Sequence, residues 1–245
     1  MNIQLRVCKV IVLGGSSGIG LAIAKALYGE GCNVCIVGTN EERMKAICKE
    51  YNNNRFTYLR YDLLDFEHYT ELLNDAACLL GGYYDGVVNS AGVHSGKNNW
   101  IIDELTWDNI LDIDLKATIF MIKTVVACMR DNNTKGNILQ ISSVCGNGGN
   151  IMNSPYYIAK NAVTNCIRYM AKEIFHHGII LNGICPGIVK TPMCPGEKVS
   201  EKTAAIGRPI EPDEIASIAL FMMSKQAQIC VGECILADGG FWGAW

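Results

Sequence analysis

Tyr156 and Lys160 stand four residues apart in a stretch of helical period, as Y-x-x-x-K, so their side chains share one helix face a turn apart. A free tyrosine titrates near about 10, and a neighbouring ammonium favours its phenolate. Lowering it by about three units, to suit a base at neutral pH, takes roughly 4 kcal/mol of differential stabilisation. Upstream, Ser142 and Ser143 close an apolar run of strand character. A hydroxyl there can hydrogen-bond a carbonyl oxygen as negative charge develops on it. Alone, a Y-x-x-x-K arises by chance in many helices and a strand-end serine merely opens a loop; what gives them meaning is their order along one chain.

A third element precedes both. Gly14, Gly18 and Gly20 form G-x-x-x-G-x-G, with Ser16, Ser17 and Ile19 between them, after the β-branched run Val7 to Leu13 and before the helical run Leu21 to Leu27. A glycine cluster between strand and helix lets the backbone approach a pyrophosphate, and the helix N-terminus supplies N–H donors and partial positive charge. A dinucleotide is the ligand such a loop holds. The second strand should then end on an acid if the adenosine ribose carries a free 2′-hydroxyl. The chain instead reads Gly38, Thr39, Asn40. No carboxylate at 38 repels a 2′-phosphate, and Arg43, one turn into the next helix, can reach one, which tips the reading toward NADP(H). With no arginine at 39 to clamp that phosphate, NAD(H) stays open.

These groups need a scaffold that gathers them at one edge. Strand-like runs at Val7 to Leu13, Asn33 to Val37, Arg55 to Tyr61, Asp85 to Asn89, Asn137 to Ser142, Ile179 to Ile184 and Glu233 to Leu236 alternate with helical runs. The helical runs start at Gly18 and cover Glu41 to Tyr51, Phe66 to Leu80, Thr106 to Arg130, Pro155 to His176 and Pro212 to Ser224. Such alternation implies right-handed βαβ crossovers. The fold class is therefore α/β, a Rossmann-type doubly wound parallel sheet of about seven strands with helices on both faces. No linker or repeat interrupts it, so residues 1–245 read as one domain, with a substrate loop at about 193–207 and the site at the carboxyl ends of the strands.

Glycine loop, strand-end serine and Tyr–Lys helix in this order resemble the short-chain dehydrogenase/reductase family, and the resemblance runs over essentially the whole chain. It implies a hydride transfer between NAD(P)(H) and a secondary alcohol or ketone. Of the two serines the family uses the second, Ser143; its tyrosine and lysine map to Tyr156 and Lys160, the lysine also holding the nicotinamide ribose. Asp62 with Leu63 maps to the adenine contact, and Asn89, Ala91 and Gly92 resemble its N-A-G segment. Pro186, Gly187, Ile188 and Thr191 resemble the loop that covers the nicotinamide, and Asp238 to Gly240 continues the likeness. On residue chemistry alone, Asp62 caps the next helix and Asn89 braces the sheet equally well. Two departures stand out. The family's catalytic asparagine maps to Asp114, which accepts hydrogen bonds but cannot donate them while ionised, so the proton relay is altered. Leu13 replaces a threonine common before the glycines, a structural change. The resemblance also implies a homotetramer or homodimer, with the apolar tail Phe241 to Trp245 fitting an interface or the core.

Composition narrows the alternatives. At 49% hydrophobic and 18% charged the chain can bury a core, and a net charge of −3 offers no basic surface for a phosphate backbone, so nucleic acid is not an expected partner. No secretion pattern opens the chain and no apolar run reaches the roughly 20 residues of a membrane span, so a cytoplasmic protein without a membrane partner is expected. Its 12 cysteines read as reduced, buried thiols; Cys32 and Cys35, on opposite faces of a strand, make neither a metal nor a redox pair, and no metal site is expected. His94 after the fourth strand reads as a packing or surface residue. The small residues of Cys145 to Asn153 and a short 193–207 loop leave space for a bulky cyclic or sterol-like substrate; a 3-oxoacyl thioester is the alternative. A non-catalytic NAD(P)-sensing protein shares the fold, with Asp114 its one support, while an epimerase or dehydratase would need a larger substrate domain.

Overall fold

The computed structural model describes residues 3–51, 54–95, 101–147, 154–196 and 198–241. Seven strands, β1 (Lys9–Leu13), β2 (Asn33–Gly38), β3 (Phe56–Arg60), β4 (Gly86–Asn89), β5 (Gly136–Ile141), β6 (Ile179–Pro186) and β7 (Cys234–Ala237), form one sheet in the order β3-β2-β1-β4-β5-β6-β7. Every pairing is parallel. This is the seven-stranded, doubly wound sheet expected from the alternation of elements. Chain order reverses between β1 and β4, and the crevice outside their carboxyl ends is where such sheets bind ligands.

Strand periodicity divides the core. Val10 and Val12 of β1 enter one apolar cluster, Ile11 and Leu13 the other, because successive side chains leave a strand on opposite faces. The first cluster is completed by α1 (Gly18–Gly29), α2 (Glu41–Tyr51) and α7 (Pro212–Met222), through Ile23, Leu27, Met44, Ile215 and Met222. The second is completed by α3 (Tyr69–Leu79), α5 (Thr118–Asp131) and α6 (Ser154–Ile174), through Leu73, Val125, Val163 and Ile167. Leu13 lies in this core with no exposed surface, which accounts for an apolar residue at the foot of the glycine loop.

The run read as one helix from Thr106 to Arg130 is in fact three segments. Helix α4 (Glu104–Leu111) starts at Asp103, whose carboxylate accepts from the Thr106 N–H at 2.8 Å. A π-helical stretch, Asp112–Ala117, then precedes α5. Wide turns of this kind weaken the helical hydrogen-bond ladder and collect at functional positions; this one carries Asp114, held by bonds outside its own helix. The cysteines also differ from expectation, since only Cys32, Cys35 and Cys185 are buried and Cys8 and Cys78 are exposed. All twelve are free thiols. Cys32 precedes β2 rather than lying inside it, and it joins the first core cluster while Cys35 joins the second, on opposite faces of the sheet. Of the segments read from sequence, Gly148 to Asn153 and Trp242 to Trp245 lie outside the described residues. Among those described, no helix is long and apolar enough to cross a membrane and no cluster of metal-ligating side chains occurs.

Leu27, fully buried on α1, tests the first core cluster. Truncation in Leu27→Ala should lower stability by about 2–5 kcal/mol, read from denaturant unfolding; a change below about 1 kcal/mol would mean that the site collapses without loss.

Candidate active site

The chain leaves β1 at the switch point and turns at Gly14, whose φ of +70° and whose approach to Ala91 exclude a side chain: a Cβ would sit 2.7 Å from the Ala91 nitrogen. Gly20 lets α1 pack back on this turn, since a Cβ there would collide with the Gly14 oxygen. Ser17 precedes α1 in an extended conformation without making a side-chain capping bond, and the first turn carries no acid. The helix therefore presents its first N–H groups and positive end to whatever anion enters. A cleft of about 480 Å³ opens here, within the range of ligand sites. Gly14, Ser16, Ser17, Gly18 and Ile19 form its floor, with Gly38 and Thr39 at the end of β2, Asp62 and Leu63 beyond β3, and Ala91 and Gly92 beyond β4. Thr191 reaches over from the loop after β6 and packs on Gly18. A backbone cradle that side chains would fill, with a helix N-terminus behind it, fits the pyrophosphate of a dinucleotide.

Other residues singled out from sequence stand elsewhere. Gly20 lies buried in α1 behind the loop. Asn40 does not line the cleft; its side-chain oxygen accepts from the Arg43 N–H at 3.0 Å and so caps α2. Arg43 is exposed on the first turn of that helix, where Glu41 and Glu42 both pair with Lys45 at 3.1 Å. Asp62 both lines the cleft and accepts from the Leu64 N–H at 3.0 Å, turning the chain toward α3. Asn89 is 2% exposed; it accepts from Ala91 N–H at 3.2 Å and donates to the Thr118 hydroxyl at 3.4 Å, fixing the turn that carries Ala91 and Gly92. Pro186 ends β6, Gly187 donates to the Ala237 carbonyl at 3.0 Å, and Ile188 lines a separate cavity of about 200 Å³. Tyr61, Leu64, Val93, Asn109, Ile113 and Met193 also line the main cleft. Asn109, near the end of α4, and Ile113, within the π-helical stretch, escaped sequence reading because neither belongs to a recognisable motif.

Beyond Gly92 the titratable groups converge. One turn of α6 brings the Lys160 ammonium to 5.4 Å from the centroid of the Tyr156 ring. Asp114 enters from the π-helical stretch with no exposed surface; its Oδ1 lies 2.7 Å from Lys160 Nζ and its Oδ2 accepts from the Val93 N–H at 3.0 Å. The two serines separate by their bonds. Ser142 is used internally, its hydroxyl 2.8 Å from that of Thr164 and donating to the Lys160 carbonyl at 3.3 Å. Ser143 follows β5 and its oxygen accepts from the Cys145 N–H at 3.2 Å. His94 packs its ring edge-to-face with Tyr156 at 5.0 Å, a packing contact at the site itself.

Burial pushes the Tyr156 hydroxyl up to about 12; Lys160 pulls it down, but Asp114 and Cys145 oppose that pull, and a hydrogen bond with Ser143 lowers it slightly. Burial alone would lower Lys160, yet Asp114, with Tyr156 beside it, outweighs this and holds the ammonium charged above its ordinary range. A hydroxyl that gives up a proton, a cation fixed below it and a second hydroxyl at the strand end are what carbonyl polarisation and proton transfer need, next to a cleft shaped for a dinucleotide.

Comparison with known proteins agrees with this geometry. The chain matches the family described as enoyl-(acyl carrier protein) reductase over residues 14–242. It is 32% identical to the 2,5-dichloro-2,5-cyclohexadiene-1,4-diol dehydrogenase of Sphingobium indicum, covering 95% of this chain and 96% of that one. With the 3-oxoacyl-[acyl-carrier-protein] reductase FabG of Aquifex aeolicus it shares 30% identity over 98% of its own length and 99% of the relative. Among solved structures, a single-substitution variant of actinorhodin polyketide ketoreductase with NADPH superposes with a TM-score of 0.86 at 25% identity, over 97% of this chain and 98% of that one. The chain belongs to the short-chain dehydrogenase/reductase family and is an NAD(P)-dependent oxidoreductase of CH–OH and C=O groups.

Proposed function

We propose that Tyr156 is the proton donor and acceptor of this oxidoreductase, that Lys160 positions it and binds the nicotinamide ribose, and that Ser143 polarises the substrate carbonyl. The observation that carries this reading is the convergence of Tyr156, Lys160, Asp114 and Ser143 behind Gly92, a residue of the cleft wall that abuts Asp114 and Lys160. Bound nicotinamide supplies or takes up the hydride at the carbonyl carbon. In reduction the Tyr156 hydroxyl gives its proton to the carbonyl oxygen while Ser143 hydrogen-bonds the same oxygen; in oxidation the phenolate removes the alcohol proton. Gly14 to Gly20 hold the pyrophosphate, Asp62 and Leu63 the adenine, Asn89, Ala91 and Gly92 the wall beside the nicotinamide ribose. Pro186, Gly187, Ile188 and Thr191 shape the loop over the ring.

NADP(H) is the preferred cofactor in this reading. No carboxylate follows β2 at Gly38 or Thr39, the two acids nearest Arg43 are already paired with Lys45, and Arg43 is exposed at the helix start beyond the cleft. The substrate is a secondary alcohol or ketone on a bulky ring, supported by a relative named for a cyclic diol. A linear 3-oxoacyl thioester, after the Aquifex relative, is the competing substrate. In this reading the protein works in the cytoplasm, and as a homotetramer or homodimer, the assembly that the family resemblance implies.

Two measurements test these assignments. With NADPH and a panel running from small 3-oxo esters to cyclic and steroidal ketones, Tyr156→Phe should lower kcat by about 10²–10⁴ and Ser143→Ala by about 10²–10³, without loss of cofactor binding. Turnover of the linear esters alone would overturn the cyclic substrate, and unchanged kcat in Tyr156→Phe would remove that residue from the chemistry. For the cofactor, Arg43→Ala should raise KM for NADPH about tenfold, the scale of one lost charge-assisted contact, and leave KM for NADH unchanged; parallel changes for both would show that Arg43 does not read the 2′-phosphate.

A further inference from the structure

One buried carboxylate remains that the proton transfer itself does not call for. Asp114 has no exposed surface, and its Oδ1 is sealed from solvent. Its two oxygens meet Lys160 Nζ at 2.7 Å and the Val93 N–H at 3.0 Å. Gly92 closes over the pair from the cleft side, since a Cβ there would lie 2.6 Å from Asp114 Oδ1 and 3.3 Å from Lys160 Nζ. Taking two charges out of water is costly, and replacing such pairs by apolar groups is often neutral or stabilising, so a buried pair beside a reacting hydroxyl calls for a functional account.

The charge balance supplies one. With Lys160 alone, the site would carry a net positive charge, which would work against burial and favour the Tyr156 phenolate. With Asp114 in direct contact, Lys160 is already cancelled, and a phenolate would leave a net negative charge in a buried place. We propose that Asp114 is a positioning residue that acts through Lys160 to hold Tyr156 as a protonated donor across the neutral range, so that ketone reduction runs at neutral pH and alcohol oxidation requires an alkaline medium. Among the described residues, the other titratable groups facing the Tyr156 ring are Cys145, beyond β5, and His94, beyond β4. Burial pushes the Cys145 thiol up, so it adds no charge to the site at neutral pH.

The proposal rests on Tyr156 being the acid, and the test separates the two. Tyrosinate absorbance of the cofactor-free protein is followed against pH in the wild type, Tyr156→Phe and Asp114→Asn; subtracting Tyr156→Phe isolates the titration of Tyr156. In the wild type, the Tyr156 signal should be absent up to about pH 10, where free tyrosine is half ionised. In Asp114→Asn, it should move down by about one to two pH units, the scale of one close like charge. The kcat/KM profile for alcohol oxidation should shift downward by the same amount. A Tyr156 midpoint below pH 10 in the wild type overturns the proposal even if Asp114→Asn does not fold, and so does an unchanged midpoint in a folded Asp114→Asn. If the titration shifts but Tyr156→Phe still reduces ketones at the wild-type rate, the charge coupling stands and the assignment of Tyr156 as the acid falls.

Discussion

A parallel sheet buried on both faces leaves polar chemistry one place to gather, and everything in this protein follows from that restriction. Helices cover the faces with apolar side chains, so hydroxyls, amides and charges collect where the strands stop and the crossovers begin. β1 ends in the glycine turn, β4 in the turn shaped by Asn89, β5 in the paired serines and β6 in the segment that bends over Gly18. Four carboxyl ends thus carry four parts of one site although Leu13 at the end of the first and Pro186 at the end of the last are far apart in the chain.

Within that edge, two kinds of contact divide the work. In the proposed reading the cofactor side is made of backbone: glycines that admit close approach, a helix start with its amides uncommitted, turns held by Asn89 and Asp62. Backbone geometry reads a pyrophosphate and a ribose, groups common to every dinucleotide, and needs few side chains to do so. The side proposed to react is made of side chains whose charges depend on one another. Lys160 cannot be considered apart from Asp114 at 2.7 Å, nor Tyr156 apart from both. The fold tolerates a buried ion pair there because the π-helical stretch and α6 are locked together around it, and moving either would leave a charge without its partner.

The sequence by itself determined the fold class, the order of elements and the family, because those rest on local properties. Strand and helix periodicities are written in neighbouring residues, and a glycine loop or a Y-x-x-x-K is read within a few positions. Tertiary structure alone decided how the groups pair. No local pattern says that Ser142 spends its hydroxyl on Thr164 and Lys160, that Asn40 caps a helix, or that the long helix widens at Asp112–Ala117. A π-turn shifts the helical hydrogen bonds from i→i+4 to i→i+5, but six residues hold too few apolar positions to reveal the changed period, so the widening is silent in the sequence. Asp114 and Lys160 are far apart in the chain, and the attraction between them exists only once the sheet has brought α6 against the π-helical stretch. Which residues carry charge was legible; which charge each one feels depends on distance and burial, and those belong to the folded chain.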